Sequence, residues 1–199
     1  MATLFLQDKI RTERLTLIAL TADQLRLYLD APEKLERELG FPVSRDNLTA
    51  PARHAIAMKL AKMSTVTADL HPWYTYWLVV VITTEPFGAG LVGFKGAPDL
   101  DGTVEIGYGI DTTYRNCGYI TEAARALIAW AFQSPDCQSV IAPNTRRDNP
   151  ASNRVLAKVG MYVYDETGDA LSWRMERPSS HTPYWSYQLR ASSFPSHLV

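Results

Sequence analysis

The sequence predicts a mixed α/β (α+β) fold in which helices cover a sheet. Three β-rich runs follow one another in the middle of the chain, separated only by turn-forming residues, as is typical of an antiparallel meander. After them, helical and strand patterns alternate in the order α-β-α-β. Together with a β-α-α beginning, this order fits a mixed sheet with helices packed on it.

The first part of the chain predicts one strand followed by helices. A Thr/Asp start signal opens the first helix, Gly40 closes the second, and Pro51 suits the first turn of the third. The segments are 14–20 (strand), 21–30, 32–39 and 51–64 (helices) and 65–73 (loop).

The remaining elements follow from periodicity and caps. Apolar residues at 120, 123, 124, 127, 128, 131 and 132 repeat at the spacing of a buried helix face. Asn149 at the N-cap, Pro150 at the first position and Gly160 as a stop delimit another helix. The predicted strands are 74–85, 90–97, 103–110, 139–144, 161–166, 170–176 and 184–190.

Composition sets limits on function. With 199 residues the chain fits a single domain over residues 1–199, of which 178–199 form a C-terminal segment. Hydrophobic residues make up 46%, charged residues 21%, and the net charge is −1, so neither nucleic acid nor a membrane is an expected partner. The start of the chain lacks a signal-peptide pattern and two cysteines favour a reduced protein, so we expect a cytoplasmic location.

The stretch TTYRNCGYITEA (112–123) is the first candidate site. Helix N-terminal N–H groups have no intrahelical acceptor and favour anions. Gly118 permits close approach of a phosphate, and Arg115 adds a positive charge. A plain strand-to-helix connection with Arg115 on the surface would give the same pattern.

Two flanking elements add polar groups. On the strand 103–110, alternation places Glu105 on one face with Gly107 and Gly109, where a ligand can approach the backbone. Ser152 and Asn153 fall in the first turn of the helix 149–159. The alternatives are a solvated or salt-bridged Glu105, and helix capping by Asn149 and Ser152.

EIGYGIDTTYRNCGYITEA followed by NPASNRVLAKVGM resembles the Gcn5-related N-acetyltransferase (GNAT) superfamily, and within it the RimJ/RimL branch of ribosomal-protein-alanine acetyltransferases. The opening IRTERLTLIALTADQ is similar to the start of that branch, so the resemblance covers roughly residues 10–165. It implies a mostly antiparallel sheet of about seven strands with helices on both faces.

The resemblance also implies a site and a reaction. An amine, either a protein N-terminus or a small molecule, attacks acetyl-CoA directly, with Glu105 as the base and Ser152 as the donor to the departing thiolate. Pantetheine would lie along strand 103–110, with the thioester where this strand diverges from 139–144. The implied cofactor-binding residues are Ile110, Arg115, Asn116, Cys117, Gly118, Tyr119, Ile120, Asn149 and Asn153. No metal is expected, and either a monomer or a homodimer fits.

The turn departs from the branch pattern at Asn116, which replaces a glycine, and at Ile120, which replaces a small residue. These departures leave a catalytically silent acyl-CoA-binding or sensing domain as the alternative function. A doubly wound nucleotide domain is a further alternative, against which the meander argues.

Four other features have a packing explanation beside a functional one. Cys117 has no histidine near it in sequence, so an incidental thiol is favoured over a nucleophile. His54 and His71 fall where related proteins line the acceptor cleft, but each also fits a surface or packing role. The aromatic stretch 71–77 fits core packing first and a substrate wall second.

Overall fold

The computed structural model describes residues 8–178, and tertiary contacts group them into two compact units. Unit 1 comprises the chain up to Ala97 together with Ile106–Ala129. Unit 2 comprises Pro98–Glu105 and the chain from Trp130 onward. The predicted strand 184–190 lies outside the described residues.

Most strands and helices belong to one unit. Unit 1 contains β1 (Lys9–Arg11), β2 (Leu15–Ala19), α1 (Ala22–Asp30), α2 (Pro32–Leu39), α3 (Ala50–Met63), α4 (His71–Tyr74), β3 (Trp77–Val81), β4 (Phe87–Phe94) and most of α5 (Tyr119–Ala131). Unit 2 contains β6 (Ser139–Arg146), α6 (Pro150–Val159), β7 (Tyr162–Thr167) and β8 (Ala170–Glu176). Strand β5 (Thr103–Ile110) contributes to both, and short 3-10 turns form at Ala68–Leu70 and Thr112–Tyr114.

The sheet is mixed and mostly antiparallel, as predicted. In unit 1 the antiparallel order is β1-β2-β3-β4-β5, and Ile106–Ile110 pair with β4. In unit 2 the order is β5-β6-β8-β7, with Thr103–Glu105 parallel to Ser139–Ile141 and the other pairs antiparallel. Residues 8–178 thus form eight strands rather than about seven, because β1 has only three residues and gives no periodic signal.

The helix boundaries confirm the predicted caps. Thr21 forms a capping box with Gln24 at the start of α1, and Gly40 ends α2 in the left-handed conformation with φ 81°. Asn149 caps α6 through a bond from Ser152 N, and Gly160 ends that helix with φ 100°.

Two local predictions are wrong. Residues 65–73 are not a plain loop, because the 3-10 turn at 68–70 leads directly into α4. Both elements are too short to show a helical period in the sequence. Phe87 and Gly88 lie between the predicted strands 74–85 and 90–97, where turn-forming residues were expected, but they begin β4 and pair with Val81 and Val80 beyond an irregularity in the register.

Each unit has buried apolar side chains. The core of unit 1 includes Ile18, Leu20, Leu25, Tyr28, Leu35, Val43, Ile56, Met63, Leu78, Val80 and Leu91. The predicted stripe of α5 is buried from Ile120 through Ala131. In unit 2, Val140, Leu156, Trp173 and Met175 are buried. No helix within residues 8–178 combines the length and apolar character needed to cross a bilayer.

Candidate active site

Strand β5 carries the predicted carboxylate and the two glycines. Glu105 is half-buried and forms the last pair of the parallel ladder with β6, opposite Ile141. A Cβ added to Gly107 would have no atom within 4 Å, so packing does not require glycine there. The space beside Gly107 is therefore unfilled, and the approach of a ligand to the backbone there stays a prediction.

The loop before α3 lies against the end of β5. A Cβ on Gly109 would lie 3.6 Å from Asn47 Oδ1, and Asn47 Nδ2 donates to Ala89 O (3.1 Å). Ser44 Oγ donates to the buried Asp111 Oδ2 (2.6 Å). This bond is the main reason why the pKa of Asp111 is lowered. The loop is thus fixed beside the predicted path of pantetheine.

The turn at residues 115–118 is exposed and contains two residues with positive φ. Residues 115–118 are all exposed, and both Asn116 (φ 61°) and Gly118 (φ 80°) adopt the left-handed conformation. Asparagine enters this region at lower cost than most residues, so Asn116 can take up a left-handed conformation where the resembled branch has a glycine. Asp111 caps the start of the 3-10 turn before it, because its Oδ1 accepts from Thr113 N (2.8 Å).

Helix α5 begins directly behind the turn. Glu122 N donates to Gly118 O (3.0 Å), which is the first hydrogen bond of the helix backbone. The N–H groups of residues 119–121 come before it and have no acceptor within the helix. Ile120 is 7% exposed, and its side chain belongs to the buried stripe. It therefore does not add bulk on the solvent side, and only its backbone remains available for the predicted cofactor contact.

Sequence reasoning missed the side chains that support the turn. Arg14 Nη1 donates to Cys117 O (3.0 Å), and Arg14 Nη2 pairs with Glu122 Oε2 (2.7 Å). The Arg14 guanidinium also lies 4.9 Å from the centroid of the Tyr119 ring. The signal was present, because Arg14 lies in the opening motif and Glu122 in the turn motif of the resemblance.

Aromatic packing fixes the residues on either side of the turn. The ring of Tyr114 stacks on Phe87 at 5.1 Å between centroids and lies 6.2 Å from the Tyr119 ring. Arg115, exposed, follows Tyr114 directly. Ile110 and the six predicted cofactor residues 115–120 thus all lie in unit 1, within one short segment of the chain.

The predicted residues of α6 lie in unit 2. Asn149 Oδ1 accepts from Ser152 N (3.1 Å), and half-buried Ser152 follows in the first turn. Asn153 Nδ2 donates to Arg146 O (2.9 Å), while its Oδ1 accepts from Trp173 Nε1 (3.1 Å). The Asn153 carboxamide thus connects α6 with β6 and β8, which gives Asn153 a structural role. Its contact with the cofactor stays a prediction.

The other sequence candidates have packing roles or lie on the surface. His71 is half-buried with Nε2 3.0 Å from Met63 O, whereas His54 is exposed. Trp73 and Trp77 are buried, in line with core packing of the aromatic stretch. Cys117 is an exposed free thiol. No cluster of three or more His, Cys, Asp or Glu able to hold a metal ion occurs among the described residues.

Comparison with known proteins gives related sequences. An uncharacterized N-acetyltransferase of Bacillus subtilis, YjdG, is 33% identical over 97 residues, which cover 49% of this chain and 56% of that protein. The ribosomal-protein-serine acetyltransferase of Escherichia coli is 35% identical over 74 residues, which cover 37% and 41%. This chain therefore spans about half the length of the curated relatives it matches.

A solved structure and a family profile agree with these relatives. RimL, the ribosomal L7/L12 alpha-N-protein acetyltransferase, in complex with coenzyme A has a TM-score of 0.58 at 17% identity, covering 85% of this chain and 98% of that one. At this identity the likeness shows the fold. The profile of the acetyltransferase (GNAT) domain matches residues 14–162. The chain belongs to the GNAT acetyltransferase family.

Proposed function

We propose that this protein is an acetyl-CoA-dependent N-acetyltransferase that transfers the acetyl group to a primary amine in a ternary complex. The observation that carries the proposal is the exposed turn 115–118, with its two left-handed residues directly before α5. Such a turn presents backbone N–H groups to an anion at the positive end of a helix, as the pyrophosphate of CoA requires.

The residues of the site fit CoA in two further respects. The open backbone at Gly107 leaves space along β5 for an extended chain such as pantetheine. Arg115, the first residue of the turn, adds a positive charge, and its guanidinium matches phosphate geometry. The relative RimL, whose fold this chain shares, has coenzyme A bound in its solved structure.

The proposed chemistry requires two proton movements. As the amine nitrogen bonds to the acetyl carbon, Glu105 accepts the proton that the nitrogen loses, directly or through a water. As the carbon–sulfur bond breaks, the Ser152 hydroxyl donates a hydrogen bond or proton to the departing thiolate. Backbone donors around the thioester oxygen stabilise the negative charge that develops there. The products are the N-acetylated amine and free CoA.

The acceptor is proposed only by class, as a protein N-terminus or a small-molecule amine. One relative is named a ribosomal-protein-serine acetyltransferase, which favours including peptide N-termini among the candidates. The near-neutral chain, with net charge −1, gives no bias toward a strongly charged acceptor. A cytoplasmic location, a single domain, and a monomer or homodimer complete the proposal.

Release of free thiol tests the reaction. The protein is incubated with acetyl-CoA and a panel of N-terminal peptides and small amines, and CoA is followed with a thiol reagent. We expect release that depends on at least one amine and is matched by its N-acetylated product. CoA binding without amine-dependent release across the panel would instead support the silent sensing domain.

A further inference from the structure

We propose that Glu122, together with Arg14 and Thr12, positions the phosphate-binding turn without contacting the phosphate. This inference rests on the proposed function, because it assigns the support of the CoA site. Glu122 and Arg14 lie 108 residues apart in sequence and meet behind residues 115–118. Glu122 is thus a positioning residue for CoA binding.

The first step is the contact between Arg14 and the turn. Arg14 Nη1 donates to Cys117 O at 3.0 Å. A peptide unit is planar and almost always trans, so its C=O and N–H point in opposite directions. Holding Cys117 O toward Arg14 therefore aims the Gly118 N–H away from Arg14, on the opposite side of the peptide. That N–H is one of the donors that the proposed function assigns to phosphate.

The second step is what holds Arg14 in place. Its Nε and Nη2 both lie 2.7 Å from Glu122 Oε2, so the pair is made through two nitrogens of the guanidinium. Glu122 Oε1 accepts from Thr12 Oγ1 (2.6 Å) and from Arg14 N (3.0 Å). The Glu122 side chain is 19% exposed, and both oxygens of its carboxylate accept hydrogen bonds. The corner between β1 and β2 is thereby fastened to the first turn of α5.

The third step concerns charge. Burial alone would raise the pKa of Glu122, but the bonds from Thr12 and Arg14 outweigh it and hold this pKa below its usual value. Glu122 is therefore ionised at neutral pH. An ionised carboxylate near bound phosphate opposes binding by repulsion. If charge repulsion dominates, neutralising Glu122 lowers the Kd for CoA. If Glu122 positions the turn, neutralising it raises this Kd.

The experiment compares Glu122→Gln with the wild type by isothermal titration calorimetry with CoA. If Glu122 positions the turn, its neutralisation loosens Arg14 and raises Kd about tenfold, on the order of one charge-assisted hydrogen bond. The kcat at saturating acetyl-CoA stays within about twofold, because Glu122 contacts no reacting atom, while KM for acetyl-CoA rises with Kd. Glu33→Gln, on the exposed first turn of α2, changes the net charge equally and serves as the control.

A second variant separates the roles if Glu122→Gln does not fold. Glu122→Asp keeps the charge, but its shorter side chain does not reach Thr12 and Arg14 together, so we expect the same rise in Kd. An unchanged or lower Kd in the folded variant, with wild-type protein binding CoA, overturns the positioning role alone. A variant with a lower Tm but an unchanged Kd also overturns the positioning role. The lower Tm would then be explained by the loss of a carboxylate that stabilises the first turn of α5. Wild-type protein that binds no CoA overturns the proposed function and this inference together.

Discussion

Asn116 has a positive φ at a position where the resembled branch has a glycine. Its φ of 61° lies in the region that glycine enters freely and that most side chains avoid. Asparagine adopts this conformation more readily than most other non-glycine residues, and the Asn116 side chain is exposed. The substitution therefore gives no structural reason to favour the silent sensing domain.

Glu105 is the residue on which the proposed chemistry depends most. Glu105→Gln removes the proton acceptor but nearly preserves shape, so we expect kcat at pH 7 to fall about a hundredfold or more. The Kd for CoA should change little, because the turn proposed to bind the pyrophosphate is unaltered. The measurement is steady-state kinetics between pH 6 and 10, beside calorimetry with CoA.

The rate of the Glu105→Gln variant should recover in part as pH rises, since the amine then loses its proton to solvent. Asp101→Asn removes one exposed carboxylate just before β5 and serves as the control. Activity equal to the wild type at pH 7 would show that Glu105 is not the base.

At the scale of the element, α3 is anchored by a buried lysine. Lys59 is 7% exposed, and its Nζ donates to Thr75 O (3.0 Å), Tyr74 O (3.3 Å) and Phe94 O. The ammonium also lies 4.5 Å from the centroid of the Tyr76 ring. Burial lowers the pKa of Lys59 to about 7, and the charges of Lys62 and Lys95 act in the same direction.

This lysine makes stability depend on pH. Its folded-state pKa of about 7 lies below its ordinary value of 10.5, so the unfolded chain binds more protons between these values. The free energy of unfolding should therefore rise with pH from about 7 to 9.5, by on the order of 1 kcal/mol per pH unit at most. The carbonyl acceptors favour the ammonium and reduce this slope.

Urea denaturation of Lys59→Met across that pH range measures the effect. The variant should lose the slope and also be less stable by about 2–4 kcal/mol, because two buried carbonyls and one half-buried carbonyl lose their donor. Lys34→Met, on the exposed side of α2, should keep the wild-type slope. A slope that persists in Lys59→Met would assign it to other groups.

The elements of the site differ in how well sequence could predict them. Strand β5, helix α5 and helix α6 carry long periods or explicit caps, so their bounds followed from local chemistry. Contacts such as Ser44 with Asp111 and Arg14 with Glu122 join residues 67 and 108 positions apart. Periodicity describes neighbours along one element, so it could not show these pairs, although both members of the second pair lie in recognised motifs.

At the scale of the whole molecule, CoA binding should appear as added stability. A ligand that binds only the folded state stabilises it by RT ln(1 + [L]/Kd), or about 2.7 kcal/mol at a hundred times Kd. We therefore expect CoA to raise Tm by several degrees, whereas ATP and NAD at equal concentration raise it little. A shift with ATP or NAD but not CoA would revive a nucleotide-binding domain.

Two glycines with nearly the same positive φ separate an effect on CoA binding from an effect of backbone strain. Gly118 has φ 80° and Gly40 has φ 81°, so a valine at either position carries a similar left-handed penalty of about 1–2 kcal/mol. A Cβ at Gly40 meets nothing within 4 Å and one at Gly118 makes an ordinary contact of 3.4 Å with Arg14 Nη2, but only Gly118 lies in the proposed phosphate-binding turn. Gly118→Val should lower Tm and abolish the CoA shift, and Gly40→Val should lower Tm but keep the shift. If Gly118→Val retains the shift, the pyrophosphate does not bind at this turn.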